Sequence, residues 1–376
     1  MAKTTQPTNI IKIASHNVIF ISDIHFGVNT SSEEWQDNIN NYFEKWFIPY
    51  VKRQKEITSD VVIVCLGDVF HDRKSIDIDV NNLCIDTFET LASIVPCYII
   101  NGNHDLSKKT NKGNSSLRSL SNIENVTVIK EPTAIHFIDG RKIVSKMIAI
   151  PYLGDCNDEN DELTKYAASA KYALMHTDIS NMKFDNGMII TGAVDAERFK
   201  GKIISGHIHK RQETAKVLYV GSPYHLSRSD IGNQKGIYKL NLDNDTFEFT
   251  ENDFSPIFDK INIKKFLNMS QLQRDKMVEN NYIDIIIDEK EIDEYKMSDV
   301  YDMLNNSKAK KIQINVIKSK KNAETEEEGE DYKELSIEQL IEQTIDNLPD
   351  IDDDFKKTLK IKSNQYYKNA QMQLDM

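Results

Sequence analysis

The sequence predicts an α/β layer structure. Two observations carry that reading: apolar strand-like runs alternate with amphipathic stretches from about residue 17 to 150, and polar strings of Asp, His, Asn and Gly follow those runs, where such a fold exposes its loops. Residues 18–22 form the first strand. Ser31 or Ser32 then caps a helix whose Trp35, Ile39, Tyr42, Phe43 and Trp46 recur at helical spacing, an aromatic stripe suited to the core or to a subunit contact. Residues 61–66 are a second strand, 80–93 a helix and 96–100 a third strand. The pattern continues through 146–151, 172–175 and 202–205, and strands at 236–242 and 246–250 turn at Asp243-Asn244-Asp245.

Around Ser255-Pro256 the character changes. Residues 257–317 read strand, helix, strand, helix, strand, with 282–287 and 311–317 the clearest strands, which predicts a small α+β domain. The AETEEEGED stretch at 323–331 has too few apolar residues to fold and reads as an acidic linker. Beyond it Ser336 and Gln339 make a capping box, and Ile337, Leu340, Ile341, Ile345 and Leu348 form one apolar face stopped by Pro349. Phe355, Leu359 and Tyr366 suggest a second helix, so the C-terminus is a helical hairpin that must bury its face against something. The predicted organisation is a body at 1–255, a small domain at 256–322, a linker at 323–334 and a hairpin at 335–376.

Composition bounds the function. The 376 residues are 39% hydrophobic, enough for a sizeable core, while 28% are charged and the longest apolar runs fall far short of a membrane span. The polar N-terminus lacks the apolar region of a signal peptide, so the expected location is the cytoplasm, with Cys65, Cys84, Cys97 and Cys156 as reduced thiols. A formal net charge of -12 argues against a generic nucleic-acid binder, but the charge is not spread evenly. Fourteen acids against the single base Lys333 lie between Glu324 and Asp354, which leaves the rest of the chain near neutrality. Lysines cluster on both sides of that segment, and a solvated surface is the simpler account of them.

The chemistry lies in four strings: Asp23-Ile24-His25-Phe26-Gly27, Gly67-Asp68-Val69-Phe70-His71-Asp72-Arg73, Gly102-Asn103-His104-Asp105 and Gly206-His207-Ile208-His209. These strings and Met175-His176-Thr177 hold six of the nine histidines. Asp-x-His or His-x-His on an extended segment points both donors to one side, where they chelate one ion. Carboxylate with imidazole suits manganese, iron or zinc, and a short carboxylate such as Asp68 can bridge two ions. Gly67, Gly102 and Gly206 are expected to let the backbone turn sharply at the strand ends. Two neighbouring cations suit in-line displacement at phosphorus, so the predicted reaction is phosphoester hydrolysis. His104, beside a candidate ligand Asn103, is placed to protonate the leaving oxygen, and Asp105 is expected to orient its ring through a hydrogen bond.

In this order DIHFG, GDVFHDR, GNHD and GHIH resemble the motifs of the calcineurin-like metallophosphoesterases, over about residues 18–225. Within them the chain looks like the SbcD-type DNA repair nuclease subunits, on His71 and Arg73, the Gly221-Ser222-Pro223-Tyr224 turn, the small domain and the helical tail. In size and in its Lys, Asn and Ile-rich composition it most resembles the recombination endonuclease subunits of T-even-like bacteriophages. The resemblance implies a two-sheet sandwich flanked by helices. It implies that Asp23, His25 and His209 hold one metal, that Asn103, His176 and His207 hold the other, and that Asp68 bridges them. It makes His104 the catalytic histidine and puts His71 and Arg73 near the phosphate. Further implications are two Mn2+ ions, with Mg2+ or other divalent ions possible, a small domain that caps DNA, and a hairpin that grips an SbcC-like coiled-coil ATPase. A homodimer within a heterotetramer follows, in the host cytoplasm if the chain is phage-encoded, with the Trp35 to Trp46 stripe as a candidate dimer contact. The expected activity is that of a Mn-dependent DNA exonuclease and single-strand endonuclease. A phosphoesterase acting on a non-DNA substrate and a non-catalytic scaffold are the alternatives, and the presence of all seven ligands with His104 speaks against the scaffold.

Overall fold

The computed structural model begins with β1 (Ile10–Ile13) and β2 (Asn17–Ile21), followed by α1 (Glu33–Tyr42), which runs through a π-helical turn at Phe43–Phe47 into α2 (Ile48–Thr58). Then come β3 (Val61–Cys65), α3 (Ile78–Ile94), β4 (Cys97–Ile100), β5 (Val126–Ile129), β6 (Thr133–Asp139) and β7 (Lys142–Ile150). After α4 (Cys156–Tyr166) the chain forms β8 (Tyr172–His176), β9 (Lys202–Gly206), β10 (Gln212–Glu213), β11 (Val217–Tyr219), β12 (Gly236–Asn241) and β13 (Thr246–Glu251). The structure describes residues 9–107, 114–294 and 308–317, together with 356, 359, 360, 362 and 363.

Two sheets face each other. One has the order β13-β12-β2-β3-β4-β5 and the other β1-β6-β7-β8-β9-β11-β10. The unbroken apolar runs of β2 and β3 follow from this, because a strand covered on both faces has no solvent side. Val18, Phe20, Val62 and Val64 pack with Phe137, Leu174 and Ile204 of the opposite sheet. Their neighbours Ile19, Ile21, Ile63 and Cys65 point outward into a second core with residues of α1, α2 and α3. A third core on the far side of the seven-stranded sheet holds Leu163 of α4 with Met175, Ile179 and Phe199. The cysteines are free thiols.

The aromatic stripe of α1 is interior. Trp35, Ile39, Tyr42 and Phe43 are buried, so these four are not available as a subunit contact, while Trp46 is half-buried. The reason lies in the next elements, β14 (Phe258–Asn262), α5 (Ile263–Leu267), α6 (Gln271–Val278), β15 (Tyr282–Asp288) and β16 (Lys311–Ile317), whose strands form a parallel sheet in that order. Trp35 stacks on Phe258 and Tyr282 at 6.1 and 5.8 Å between ring centroids. The Tyr282 hydroxyl donates to Glu34 at 2.7 Å, and Arg228 Nε donates to Asp284 at 2.8 Å.

The chain divides into two compact units, Met1–Lys318 and Ser319–Met376. In the second, residues 356, 359, 360, 362 and 363 are helical. The acidic linker and the face of Ile337, Leu340, Ile341, Ile345 and Leu348 lie outside the described residues. No helix among the described residues is long and apolar enough to cross a membrane.

Candidate metal centre

Strand register assembles the site. Ile21 pairs with Cys65 and Cys65 with Ile99 in parallel, so the strings that begin at Asp23, Gly67 and Gly102 leave one edge of the first sheet together. In the second sheet His176 pairs with Gly206, which brings His176 beside His207. The site therefore lies outside the carboxyl ends of parallel strands, as is general for layered α/β folds.

Asp23, His25 and His209 form one group of donors and Asp68, His176 and His207 another, each with its ligand atoms within 4.8 Å of one another. Nε2 of His25 lies 3.1 Å from Nε2 of His209. The Asn103 amide oxygen lies 2.9 Å from both Nε2 of His176 and Nδ1 of His207. Asp68 stands between the groups, with one oxygen 3.2 Å from His176 Nε2 and the other 3.7 Å from His25 Nε2.

This donor set calls for positive charge. His176 Nδ1 is committed to the Leu66 carbonyl at 2.6 Å, so the neutral ring turns its Nε2 lone pair on the Asn103 oxygen and the Asp68 carboxylate. Such a crowd of acceptors repels unless a cation or a proton lies among them. Burial pushes His176 down, but the Asp68 carboxylate outweighs it and raises the ring to about 9. His25, lacking so strong a partner, is held well below the ordinary imidazole value by burial. Rotating the Asn103 amide would put its NH2 on the two rings and its oxygen on the Arg73 guanidinium, so Arg73 sits at the edge of the centre.

The backbone bends to present these donors. Asp23, His25, Asp68 and His207 have φ of 53°, 53°, 52° and 88°, a left-handed conformation that is unfavourable for residues with a Cβ and typical of sites where geometry matters more than local stability. The glycines work differently from the expectation. Gly67 alone of the three takes positive φ, at 99°. Gly102 and Gly206 are needed for close approach, since a Cβ on Gly102 would meet Asp68 Oδ1 at 2.2 Å and one on Gly206 would meet Ser22 Oγ at 2.0 Å.

His104 and His71 flank the donors. Their rings stack at 5.6 Å, and His104 lies 5.0 Å from the ring of His25. His104 Nδ1 bonds the His71 carbonyl at 2.5 Å, which leaves Nε2 free for chemistry. Burial and the neighbouring His104 lower His71. Arg73 also lines a cavity of about 320 Å3 with Lys74, Ser75 and Ser115.

Asp105 corrects the sequence expectation. Its carboxylate makes no bond to the His104 ring. Instead Oδ2 accepts the N–H groups of Asp68 and Gly102, both at 2.9 Å, and Oδ1 accepts those of Val69 and Phe70 at 3.0 and 3.2 Å. A turn carries neighbouring side chains in different directions, and Asp105 points inward, 1% exposed.

Several supporting residues lie outside the four strings. His176 ends β8 without a glycine turn, and its exit is fixed by Tyr219, whose hydroxyl donates to the Thr177 carbonyl at 2.9 Å, and by Glu159, which accepts the Thr177 hydroxyl at 2.5 Å. Buried Lys235 donates to the His209 carbonyl at 2.7 Å and to Ser222 at 2.9 Å, while the Tyr224 hydroxyl donates to the Ile24 carbonyl at 2.6 Å. The Gly221-Ser222-Pro223-Tyr224 turn thus braces two of the ligand-bearing segments.

The family model for the calcineurin-like phosphoesterase domain matches residues 16–211, the stretch that contains every one of these donors. The chain belongs to the calcineurin-like phosphoesterases. As a calcineurin-like phosphoesterase it is a metal-dependent enzyme that hydrolyses phosphoesters. It is 26% identical over 365 residues to exonuclease subunit 1 of Enterobacteria phage T4, covering 94% of this chain and 99% of that protein. It is also 26% identical over 251 residues to the uncharacterized protein R555 of Acanthamoeba polyphaga mimivirus, covering 62% of this chain and 18% of that one. Among solved structures, the Pseudomonas putida nuclease MPE aligns over 62% of this chain and 87% of its own at 12% identity, with a TM-score of 0.28.

Proposed function

We propose that this phosphoesterase is a Mn-dependent DNA nuclease, an exonuclease and single-strand endonuclease that serves as the nuclease subunit of an SbcCD-type recombination and repair complex. One observation carries the chemistry: two groups of donors meet at Asp68, with His104 presenting a free Nε2 beside them. The choice of DNA is supported by the likeness, along nearly the whole chain, to a phage exonuclease subunit.

Asp23, His25 and His209 would hold one divalent ion and Asn103, His176 and His207 the other, with Asp68 shared. Manganese suits this set, and Mg2+ or another divalent ion can substitute. When bound, such a pair supplies Lewis acidity, making water nucleophilic near neutral pH and neutralising phosphate oxygens. His104 gives a proton to the leaving oxygen from Nε2, its ring held through Nδ1 by the His71 carbonyl. His71 and Arg73 hold the phosphate, and Asp105 acts by shaping the Asp68 loop. Backbone contacts of this kind make binding salt-sensitive and largely independent of sequence.

In this reading residues 1–255 are the nuclease domain, 256–322 the DNA-capping domain and 323–334 a linker. Residues 335–376 bind an SbcC-like coiled-coil ATPase through Ile337, Leu340, Ile341, Ile345 and Leu348. Two nuclease chains join two ATPase chains in the cytoplasm, that of the host for a phage protein.

The test is cleavage of end-labelled duplex and single-stranded DNA with Mn2+, with and without the ATPase partner. His104→Ala is expected to slow cleavage by roughly 10^2 to 10^4 while Mn2+ binding persists. Ready hydrolysis of a phosphomonoester with both DNA substrates left intact would overturn the nuclease assignment. Polar residues in place of Leu340 and Ile341 are expected to abolish co-purification of the ATPase.

A further inference from the structure

We propose that Asp178 and Asp185 are positioning residues that set the ring tautomers of His207 and His209. The inference rests on reading the site as a metal centre, but not on the identity of the substrate.

Each of these histidines turns one nitrogen toward the donor groups and the other away. His207 Nδ1 faces the Asn103 amide oxygen at 2.9 Å, and its Nε2 faces Asp178 Oδ1 at 3.3 Å. That Asp178 oxygen is buried and is one of four buried side-chain atoms, among the described residues, without a hydrogen-bond partner. A shut-in carboxylate oxygen needs a donor, and the group opposite it is the His207 ring. A proton on Nε2 is drawn toward the Asp178 charge, though in this geometry it completes no hydrogen bond, and it leaves the Nδ1 lone pair for a cation. If the proton sat on Nδ1 instead, the donor set would lose a ligand and Asp178 would confront a second lone pair.

His209 repeats the arrangement with its nitrogens exchanged. Its Nε2 faces His25 at 3.1 Å, and its Nδ1 faces Asp185 Oδ2 at 3.7 Å, too far for a hydrogen bond, so Asp185 acts on the ring through its charge. Asp185 is anchored, because its Oδ1 accepts the Lys210 N–H at 2.9 Å and its carbonyl accepts Lys210 Nζ at 2.5 Å. Both aspartates belong to the segment between β8 and β9, which carries no donor of its own beyond His176. That segment is tied down where Ser180 N–H meets the Val194 carbonyl at 2.9 Å and Phe184 N–H meets the Met188 carbonyl at 2.9 Å. One connection thus supplies the outer partners of two histidines, while the third, His176, uses the Leu66 carbonyl. Outer carboxylates of this kind fix ring orientation and raise ligand basicity, and their loss commonly lowers metal affinity 10- to 100-fold.

The experiment titrates the full-length, metal-free chain with Mn2+ alone by calorimetry and records ring nitrogen resonances of His207 and His209 by NMR. The wild type is expected to show His207 protonated on Nε2 and His209 on Nδ1. Asp178→Ala is expected to weaken one Mn2+ binding step roughly 10- to 100-fold, to mix the His207 tautomers and to leave the metal-free Tm unchanged; Asp185→Ala is expected to do the same to the other step and to the His209 tautomers, with a lowered metal-free Tm because the Lys210 N–H loses its acceptor. If Asp178→Ala does not fold, Asp178→Asn is read in the same way. Wild-type Mn2+ affinity in a folded variant overturns the proposal, and so does lost affinity with the ring tautomers unaltered. Neither readout involves DNA, so failure here is distinct from failure of the nuclease assignment.

Discussion

The carboxylate of Asp105 accepts the backbone N–H of Asp68 at 2.9 Å, so a residue adjacent to His104 in sequence serves the carboxylate shared by both donor groups. Burial and the nearby Asp68 carboxylate raise Asp105 to about 7, while the N–H groups of Gly102 and Phe70 draw it back down. Asp105→Ala would leave the N–H groups of Asp68, Gly102, Val69 and Phe70 buried without an acceptor. We expect a loss of about 3–5 kcal/mol, read from urea unfolding of the metal-free protein. Unfolding at the wild-type midpoint would contradict this role.

Gly102→Ala adds one methyl group where there is no room, 2.2 Å from Asp68 Oδ1 and 2.3 Å from the Asp68 nitrogen. The expected result is a chain with near-native circular dichroism whose Mn2+ affinity falls at least about tenfold, because the ligand must shift for the backbone to fit. Equilibrium dialysis against Mn2+ measures it.

Trp35→Ala removes a ring sandwiched with Phe258 and Tyr282, and large aromatic truncations of this kind cost about 3–5 kcal/mol. The measurable outcome is a lowered urea midpoint with an unchanged mass in sedimentation. A subunit contact on Trp35 would show the opposite pattern.

His225 supplies a pH dependence remote from the metal ligands. Its Nδ1 accepts the Phe258 N–H at 3.3 Å and its Nε2 meets the Asn233 carbonyl at 3.1 Å. Burial, aided by Lys235, lowers it to about 4. The ring is neutral in the fold and takes a proton below about 6.5 when unfolded, so its contribution is complete above that pH and declines as pH falls toward 4. The wild type should lose about 2 kcal/mol between pH 6.5 and 5 relative to His225→Gln, followed by urea unfolding in chelator. Parallel pH profiles for the two proteins would refute it.

Much of this was legible in the sequence, and the gaps have physical causes. β2, β3 and β4 were readable because strands covered on both faces are apolar throughout, and the strings that follow them were readable because Asp, His and Gly rarely cluster by chance. β5 and β6 escaped notice: β5 is only four residues long, and β6 shifts register between Phe137 and Ile138, which spoils its alternation. Asp105 misled because adjacency along the chain says little about direction in space. Asp178 and Asp185 were invisible because each meets its histidine across a sheet edge, a relation that local spacing does not encode. The glycines were recognised as necessary, but for two of the three the need is steric clearance, which depends on partners distant in sequence.

The left-handed turns at Asp23, His25 and Asp68 are pinned to one another through the main chain: the Asp23 N–H donates to the Gly67 carbonyl and the His25 N–H to the Asp68 carbonyl, both at 3.1 Å. Two ligand-bearing turns thus buttress each other, so a displacement of either one is handed directly to the other.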